Sequence, residues 1–142
     1  METQLAPEID VLSKSLRKLV GIAAGKSMPS AVQRNSFIIN EVPEEFVIAA
    51  DEKALSKVLN SLLHTVVNNS KHSCIRIKAN EYDDMIFLLV KDNSGISNDA
   101  IGNHMDEVKK LAKEMNGNVT IENIENNATH FLLTFPNFPK AA

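Results

Sequence analysis

The sequence predicts an α+β fold, a two-layer sandwich in which helices cover one face of a mixed, mostly antiparallel sheet. Apolar residues recur at helical spacing in three segments, and two short strand-like segments follow each of them. The chain has 142 residues, 44% of them hydrophobic and 23% charged, which suffices for one core. The order α-ββ-α-ββ-α-ββ lets most strands pair with sequence neighbours, so we expect the helices on one face.

The clearest helix begins after Asp51, a candidate N-cap residue. A polar break over residues 68–72 ends it, because asparagine and serine favour turns there. Its apolar residues follow the i, i+3, i+4, i+7 spacing of a buried stripe, and they are Leu55, Val58, Leu59, Leu62, Leu63, Val66 and Val67.

Two strands are predicted after this helix. Residues 75–79 alternate apolar and basic side chains, as in a half-buried strand. Residues 85–90 are apolar without alternation, which predicts a central strand covered on both faces. That strand leads to Asp92 and to a turn that contains Gly95.

An earlier amphipathic helix is predicted from Pro7 to about residue 24, ending near Gly21 or Gly25. Its apolar stripe comprises Ile9, Leu12, Leu16, Leu19 and Val20. Residues 26–35 are interpreted as a connector, and residues 36–40 and 46–50 as short strands joined by a hairpin-like turn region. We therefore divide the chain into residues 1–30, a helix and linker, and residues 31–142, the main domain.

The third helix is predicted to end at a C-cap formed by Asn116 and Gly117. Its inward residues are Met105, Val108, Leu111, Ala112 and Met115. A strand at residues 119–121 and a last strand at residues 131–135 complete the sheet.

Charge and composition exclude several classes of protein. The formal net charge of −3 gives no support to nucleic-acid binding, which needs a basic surface. The sequence has no apolar run long enough for a membrane span and no secretory signal pattern. A single cysteine, Cys74, makes the reducing cytoplasm the expected location.

Four segments of this sequence, in this order and spacing, resemble the ATP-binding domain of sensor histidine kinases, the fold shared with gyrase-type ATPases. They are residues 51–66, similar to the N-box helix, residues 90–96, similar to the first glycine box, residues 108–121 and residues 129–136. The amino-acid sequences of residues 36–43 and 135–139 resemble those of a divergent, Bacteroidetes-type branch of sensor kinases.

The resemblance implies a set of nucleotide-binding residues. Asp92 would take the adenine amino group, Gly95 belongs to the glycine box, and Thr129 lies near the closing strand. Thr65 stands where the N-box asparagine holds Mg²⁺, with Ser61 one turn earlier, so Thr65 is a weak metal candidate. From the residues alone, Asp92 could instead cap a turn, and Thr65 and Ser61 could serve packing.

The departures from the family pattern concern the phosphate side of the site. Only about eight residues follow Ile96 where the ATP lid would lie, and Gly102 stands alone there. Such a connector supplies few backbone donors for a triphosphate. Asn68 replaces a usual lysine or arginine, and the predicted first helix lacks a phosphoacceptor histidine.

Two functions follow as hypotheses. In the first, the domain binds Mg-ATP and phosphorylates a histidine outside residues 1–142. In the second, which we favour, the ATP site is degenerate, no cofactor is bound, and the domain docks a response regulator or adjoining phosphoacceptor helices, or forms a homodimer through residues 7–24.

Overall fold

The computed structural model describes residues 14–96, 101–124 and 128–137. Its helices are α1 (Leu16–Gln33), α2 (Glu52–Asn68) and α3 (Asp106–Lys113), with a short 3₁₀ helix at Gly102–Met105. Its strands are β1 (Lys14–Ser15), β2 (Phe37–Asn40), β3 (Val47–Ile48), β4 (Cys74–Tyr82), β5 (Met85–Asp92), β6 (Asn118–Ile124) and β7 (Ala128–Pro136). None of the described helices is long and apolar enough to cross a membrane.

Five strands form one mixed sheet in the order β2-β4-β5-β7-β6. β2 runs parallel to β4, and the other three pairings are antiparallel. Alternate residues of β4, β5 and β7 are buried in one core with the three helices. The predicted α+β sandwich with helices on one face is therefore confirmed.

α2 forms the centre of the helical layer, as its sequence predicts. The side chain of Asp51 accepts hydrogen bonds from the amides of Lys53 and Ala54, at 3.0 and 3.3 Å, and caps the helix. All seven residues of the predicted stripe are fully buried. At about 1.5–3 kcal/mol each, these side chains contribute roughly 10–20 kcal/mol of gross hydrophobic stabilisation.

β5 is the central strand, as predicted, but it is covered on one face only. Ile86, Leu88 and Val90 are fully buried, whereas Met85 and Phe87 on the opposite face are half-buried. The prediction of cover on both faces is wrong because an unbroken apolar run also suits the centre of a two-layer sandwich, where one face stays open.

The predicted bounds of the first helix are wrong. Residues 14–15 are extended and pair with β3, so α1 begins at Leu16 and then continues past both predicted glycine stops to Gln33. Residues 26–33 are therefore helix, not a connector, and α1 runs through the boundary predicted at residue 30. Pro7, Ile9 and Leu12 lie outside the described residues.

Core packing explains why α1 passes Gly21, Gly25 and Pro29. Two glycines and one proline disfavour a helix by about 5 kcal/mol in total. Burial of Leu16, Leu19 and Val20 offsets this penalty with about 4–9 kcal/mol. Leu16, Leu19 and Val20 therefore pack within their own domain, so the described part of the predicted dimerisation stripe is not free for a second copy.

The predicted hairpin between the second and third strands does not form. β2 pairs with β4, and β3 pairs with β1. Asn40 turns the chain away, because its amide nitrogen donates to the carbonyl oxygen of Arg17 at 3.0 Å and its oxygen accepts from the amide of Val42 at 3.1 Å.

α3 ends in the left-handed turn that its sequence predicts, but Asn116 is the residue with positive φ, at 59°. The amide of Gly117 donates to the carbonyl oxygen of Ala112 at 2.8 Å. Gly117 is required for a different reason, since a Cβ there would lie 2.5 Å from the carbonyl oxygen of Thr134.

Candidate functional site

An open cleft lies between the C-terminal half of α2 and the start of α3. Its volume is about 500 Å³. The cleft is lined by His64, Thr65, Asn68, Asn69, Asn103, His104, Asp106 and Glu107. A second hollow of about 400 Å³ shares His64 and Glu107 and continues along α2 past Ser61.

Asp92 lies at the end of β5 but does not line this cleft. Its side chain is 1% exposed. Ser70 and Ser73 each donate a hydroxyl hydrogen bond to its Oδ1, at 2.7 and 2.6 Å. Ser94 adds its amide at 3.0 Å from Oδ2 and its hydroxyl at 2.9 Å. The contact of Asp92 with the Ser94 amide forms an Asx turn.

These contacts use the hydrogen-bonding capacity of Asp92. A carboxylate offers about four lone-pair sites, and three hydroxyl groups and one amide of the chain approach this one. Ser70 is itself fully buried, and its hydroxyl also lies 2.6 Å from the carbonyl oxygen of Val66. Asp92 therefore joins the end of α2, the start of β4 and the turn after β5.

Thr65 forms part of the cleft wall and is 9% exposed. Its hydroxyl donates to the carbonyl oxygen of Ser61, one turn earlier, at 2.8 Å. This bond inside the helix uses the only proton of the hydroxyl, and the oxygen keeps acceptor capacity. Ser61 lines the second hollow rather than the first.

Thr129 faces Asp92 across the β5–β7 pair, yet the two side chains bind different groups. The buried Thr129 hydroxyl donates to the carbonyl oxygen of Ile96 at 3.1 Å. Asn123 donates to the same oxygen at 3.2 Å. Gly95, between Asp92 and Ile96 in sequence, has φ of 79°, which L residues rarely adopt. These residues together hold the turn after β5.

The charges at the cleft are acidic. None of the described residues that line it is a lysine or arginine, and Asp106 and Glu107 occupy the first turn of α3. A helix N-terminus carries partial positive charge that favours an anion. Here the carboxylates of the helix itself already satisfy that preference.

Three contacts at the cleft were not predicted from the sequence. Asn69 donates to the carbonyl oxygen of Thr65 at 2.8 Å and lies 3.2 Å from Nδ1 of His104, so it links α2 to the turn before α3. Asn68 lies 2.8 Å from Nε2 of His64. No periodicity connects Asn69 with a residue 35 positions later, and the serine partners of Asp92 carried no sequence signal either.

Within the described part of the chain, no group of three or more histidine, cysteine, aspartate or glutamate side chains could hold a metal ion. Thr65 is the metal candidate that the resemblance implies, and two carboxylates, those of Asp106 and Glu107, line the same cleft. The role of Thr65 stays a prediction.

No protein-family model matches this sequence, and no curated protein matches it. Solved structures do match it. The catalytic domain of histidine kinase ThkA superposes with a TM-score of 0.76 at 17% identity, over 90% of this chain and 97% of that one. This chain has the histidine-kinase catalytic-domain fold.

Two further structures agree with this assignment of the fold. The Acinetobacter baumannii histidine kinase AdeS gives a TM-score of 0.75 at 10% identity, over 88% of this chain and 67% of that one. Full-length ShkA in complex with AMPPNP gives 0.72 at 19% identity, over 94% of this chain but 33% of ShkA. The resemblance predicted from four sequence segments is thus confirmed for the kinase-like ATPase fold.

Proposed function

We propose that this chain is a degenerate histidine-kinase ATPase-like domain of a two-component signalling protein, which binds Mg-ATP weakly or not at all and acts as a docking or dimerisation module. The main observation that supports this proposal is the buried carboxylate of Asp92, which is surrounded by the hydroxyl groups of Ser70, Ser73 and Ser94. In the family that this chain resembles, the corresponding aspartate takes the adenine amino group.

Adenine recognition by Asp92 would have to displace one of these serine contacts. The exchange replaces one hydrogen bond to a carboxylate by another, and the displaced hydroxyl of Ser70 or Ser73 would keep a neutral acceptor, the carbonyl oxygen of Val66 or the amide oxygen of Asn93. A hydrogen bond to a charged group contributes about 1.5–3 kcal/mol and one between neutral groups about 0.5–1.5 kcal/mol, so the displaced serine would lose stabilisation. This loss of hydrogen-bond energy favours a structural role for Asp92 over recognition of adenine.

The charges of the cleft, where the phosphates of a nucleotide would lie, support the same proposal. Two like unit charges about 6 Å apart repel each other by about 3 kcal/mol at an effective dielectric constant of about 20. Asp106 and Glu107 line the cleft without a lysine or arginine among the described lining residues. A triphosphate there would face this repulsion, with one lysine, Lys57, lining the adjoining hollow.

Thr65, the residue that the resemblance assigns to Mg²⁺, also fits the ion poorly. Mg²⁺ prefers carboxylate and water oxygens in octahedral geometry. Thr65 offers a neutral hydroxyl that is already bonded within α2. We therefore derive no phosphoryl-transfer step through this cleft.

The alternative is an active catalytic domain that phosphorylates a histidine outside this segment. The open cleft of about 500 Å³ beside Thr65 favours it, as does the AMPPNP complex of ShkA, a protein of the same fold. In that case Asp92 and Gly95 would face adenine, with Ser61, Thr65 and Thr129 as supporting nucleotide-binding residues. Its partners would be a response regulator or adjoining phosphoacceptor helices.

Isothermal titration of Mg-AMPPNP into the domain, with full-length ShkA as the positive control, tests the proposal. We expect no measurable heat of binding at millimolar nucleotide. Binding in the micromolar range would support the alternative. Light scattering of the same samples reports the oligomeric state. A strictly monomeric chain would exclude the dimerisation role and retain the docking role.

A further inference from the structure

The face of the sheet opposite the helices, here called the open face, carries an apolar strip. Among the described residues, no helix covers it. Tyr82 is 75% exposed and Phe37 54%, and the central part of the strip is half-buried. The residues of the strip are Tyr82, Met85, Phe87, Leu89 and Leu132, and Arg76 and Lys78 separate them from two further apolar residues on β2, Phe37 and Ile39.

Three cations lie beside this strip, and we call Arg76, Lys78 and Lys91 the basic group. Arg76 on β4 and Lys91 on β5 are directly opposite each other in the strand register, and Lys78 is opposite Leu89. Like charges directly opposite each other on one sheet face destabilise the pairing. The pair of like charges therefore does not favour folding. It also stands out because the chain as a whole is acidic, with a net charge of −3.

Little within the described chain neutralises the basic group. Arg76 has a carboxylate partner, Glu41, at 3.8 Å, in a partly exposed pair of the kind that contributes little. Neither Lys78 nor Lys91 lies within 4.0 Å of a carboxylate among the described residues. In the same cross-strand row, His130 is opposite Lys91, and Glu122 on the edge strand β6 is opposite His130, two strands away from Lys91.

We propose that the open face is a docking surface for an acidic amphipathic helix of a partner protein. An apolar stripe on that helix would cover Phe87, Leu89 and Leu132, and carboxylates along its flank would pair with the basic group. The charge complementarity would relieve the repulsion between Arg76 and Lys91, which among the described residues only the partly exposed Glu41 at 3.8 Å from Arg76 offsets. This inference rests on the docking role proposed above and gives it a surface and a partner chemistry.

The test uses a fluorescein-labelled helical peptide of about 18 residues, with leucine along one face and glutamate beside it. A matched peptide carries lysine in place of glutamate. Fluorescence anisotropy is measured with the wild-type chain, the K78E/K91E variant and K109E. Lys109 is exposed on α3, on the other side of the molecule.

We expect the glutamate peptide to bind the wild-type chain and to weaken as salt rises. K78E/K91E should weaken binding by at least about tenfold, and K109E by less than about twofold. The double variant should also melt about 1–4 °C higher, because the like-charge pair is removed. Weaker binding by a more stable variant excludes misfolding as the cause.

Several results would overturn the proposal. The first is that the glutamate and lysine peptides bind the wild-type chain equally well. The second is that K78E/K91E binds the glutamate peptide as tightly as the wild-type chain does. The third is that heparin and single-stranded DNA bind the wild-type chain as tightly as the glutamate peptide does. A homodimer that K78E/K91E dissociates in sedimentation would show that a second copy occupies the face instead. Since the cleft is on the opposite side, nucleotide titration of K78E/K91E separates failure of this inference from failure of the proposed function.

Discussion

Ser73 donates a hydrogen bond of 2.6 Å to Oδ1 of Asp92, and both side chains are 1% exposed. Ser73 directly precedes β4, and Asp92 ends β5. This contact therefore fixes the point where two central strands meet the turn region. The carboxylate that the resemblance predicts to bind adenine is buried here and bonded to serine side chains.

Asp92→Asn should lower the free energy of unfolding by about 2–4 kcal/mol. An amide group at this position places an N–H donor against serine donors, and buried hydrogen bonds to a charged group contribute about 1.5–3 kcal/mol. Urea denaturation monitored by circular dichroism measures the change. Asp106→Asn, at the exposed start of α3, is the control and should lose at most about 1 kcal/mol. Equal effects of the two variants would contradict a structural role for Asp92.

Ser70→Ala and Ser73→Ala should each lower stability by about 1–2 kcal/mol, and their effects should not add. Both hydroxyls bind the same oxygen of Asp92, and residues that share a partner show coupling of about 0.5–3 kcal/mol. A double-mutant cycle by urea denaturation measures this coupling. Additive losses within about 0.3 kcal/mol would show that the two serines act independently.

Gly117→Ala should destabilise the fold strongly, by about 3 kcal/mol or more. Its Cβ would lie 2.5 Å from a backbone oxygen of β7 and 3.1 Å from one of α3, so neither neighbour can move cheaply. Gly25→Ala is the matched control, since a Cβ there has nothing within 4 Å. It should stabilise α1 by about 0.5–1 kcal/mol. Thermal unfolding of both variants measures the contrast, and the same sign for both would refute it.

Asp84→Gly should stabilise the chain by about 0.5–1 kcal/mol. Asp83 and Asp84 form the two-residue connection between β4 and β5, with φ of 55° and 63°. Glycine suits this left-handed geometry better than aspartate does. Asp106→Gly, at φ of −60°, should destabilise instead. The melting temperature should rise in Asp84→Gly and fall in Asp106→Gly. A change of the same sign in both variants would indicate a general effect of removing an aspartate and would contradict the prediction.

Local signals in the sequence were sufficient for α2 and for the order of elements. The Asp51 cap and the apolar stripe after it need no information from elsewhere in the chain. The course of α1 was predicted wrongly because burial against α2 outweighs Pro29 and two glycines. β2 pairs with β4 rather than with its neighbour because Asn40 bonds back to Arg17.

The sequence named candidate site residues but not their surroundings, and their roles in binding nucleotide stay predictions. Thr65 lines the cleft, whereas Asp92 does not. The partners Ser70 and Ser73, 22 and 19 residues before Asp92, have no periodic relation to it. The sequence places an acid beside a glycine turn, and only the fold shows which hydroxyl groups surround it.

The central claim is that Asp92 is a structural carboxylate and that the cleft beside Thr65 does not hold Mg-ATP. The most direct measurement is the melting temperature of the wild-type chain, of Asp92→Asn and of Thr65→Ala with and without about 5 mM Mg-AMPPNP, compared as shifts. The account predicts a shift below about 1 °C in all three, because ligand stabilisation follows RT ln(1 + [L]/Kd). A rise of several degrees in the wild-type chain that disappears in both variants would contradict it.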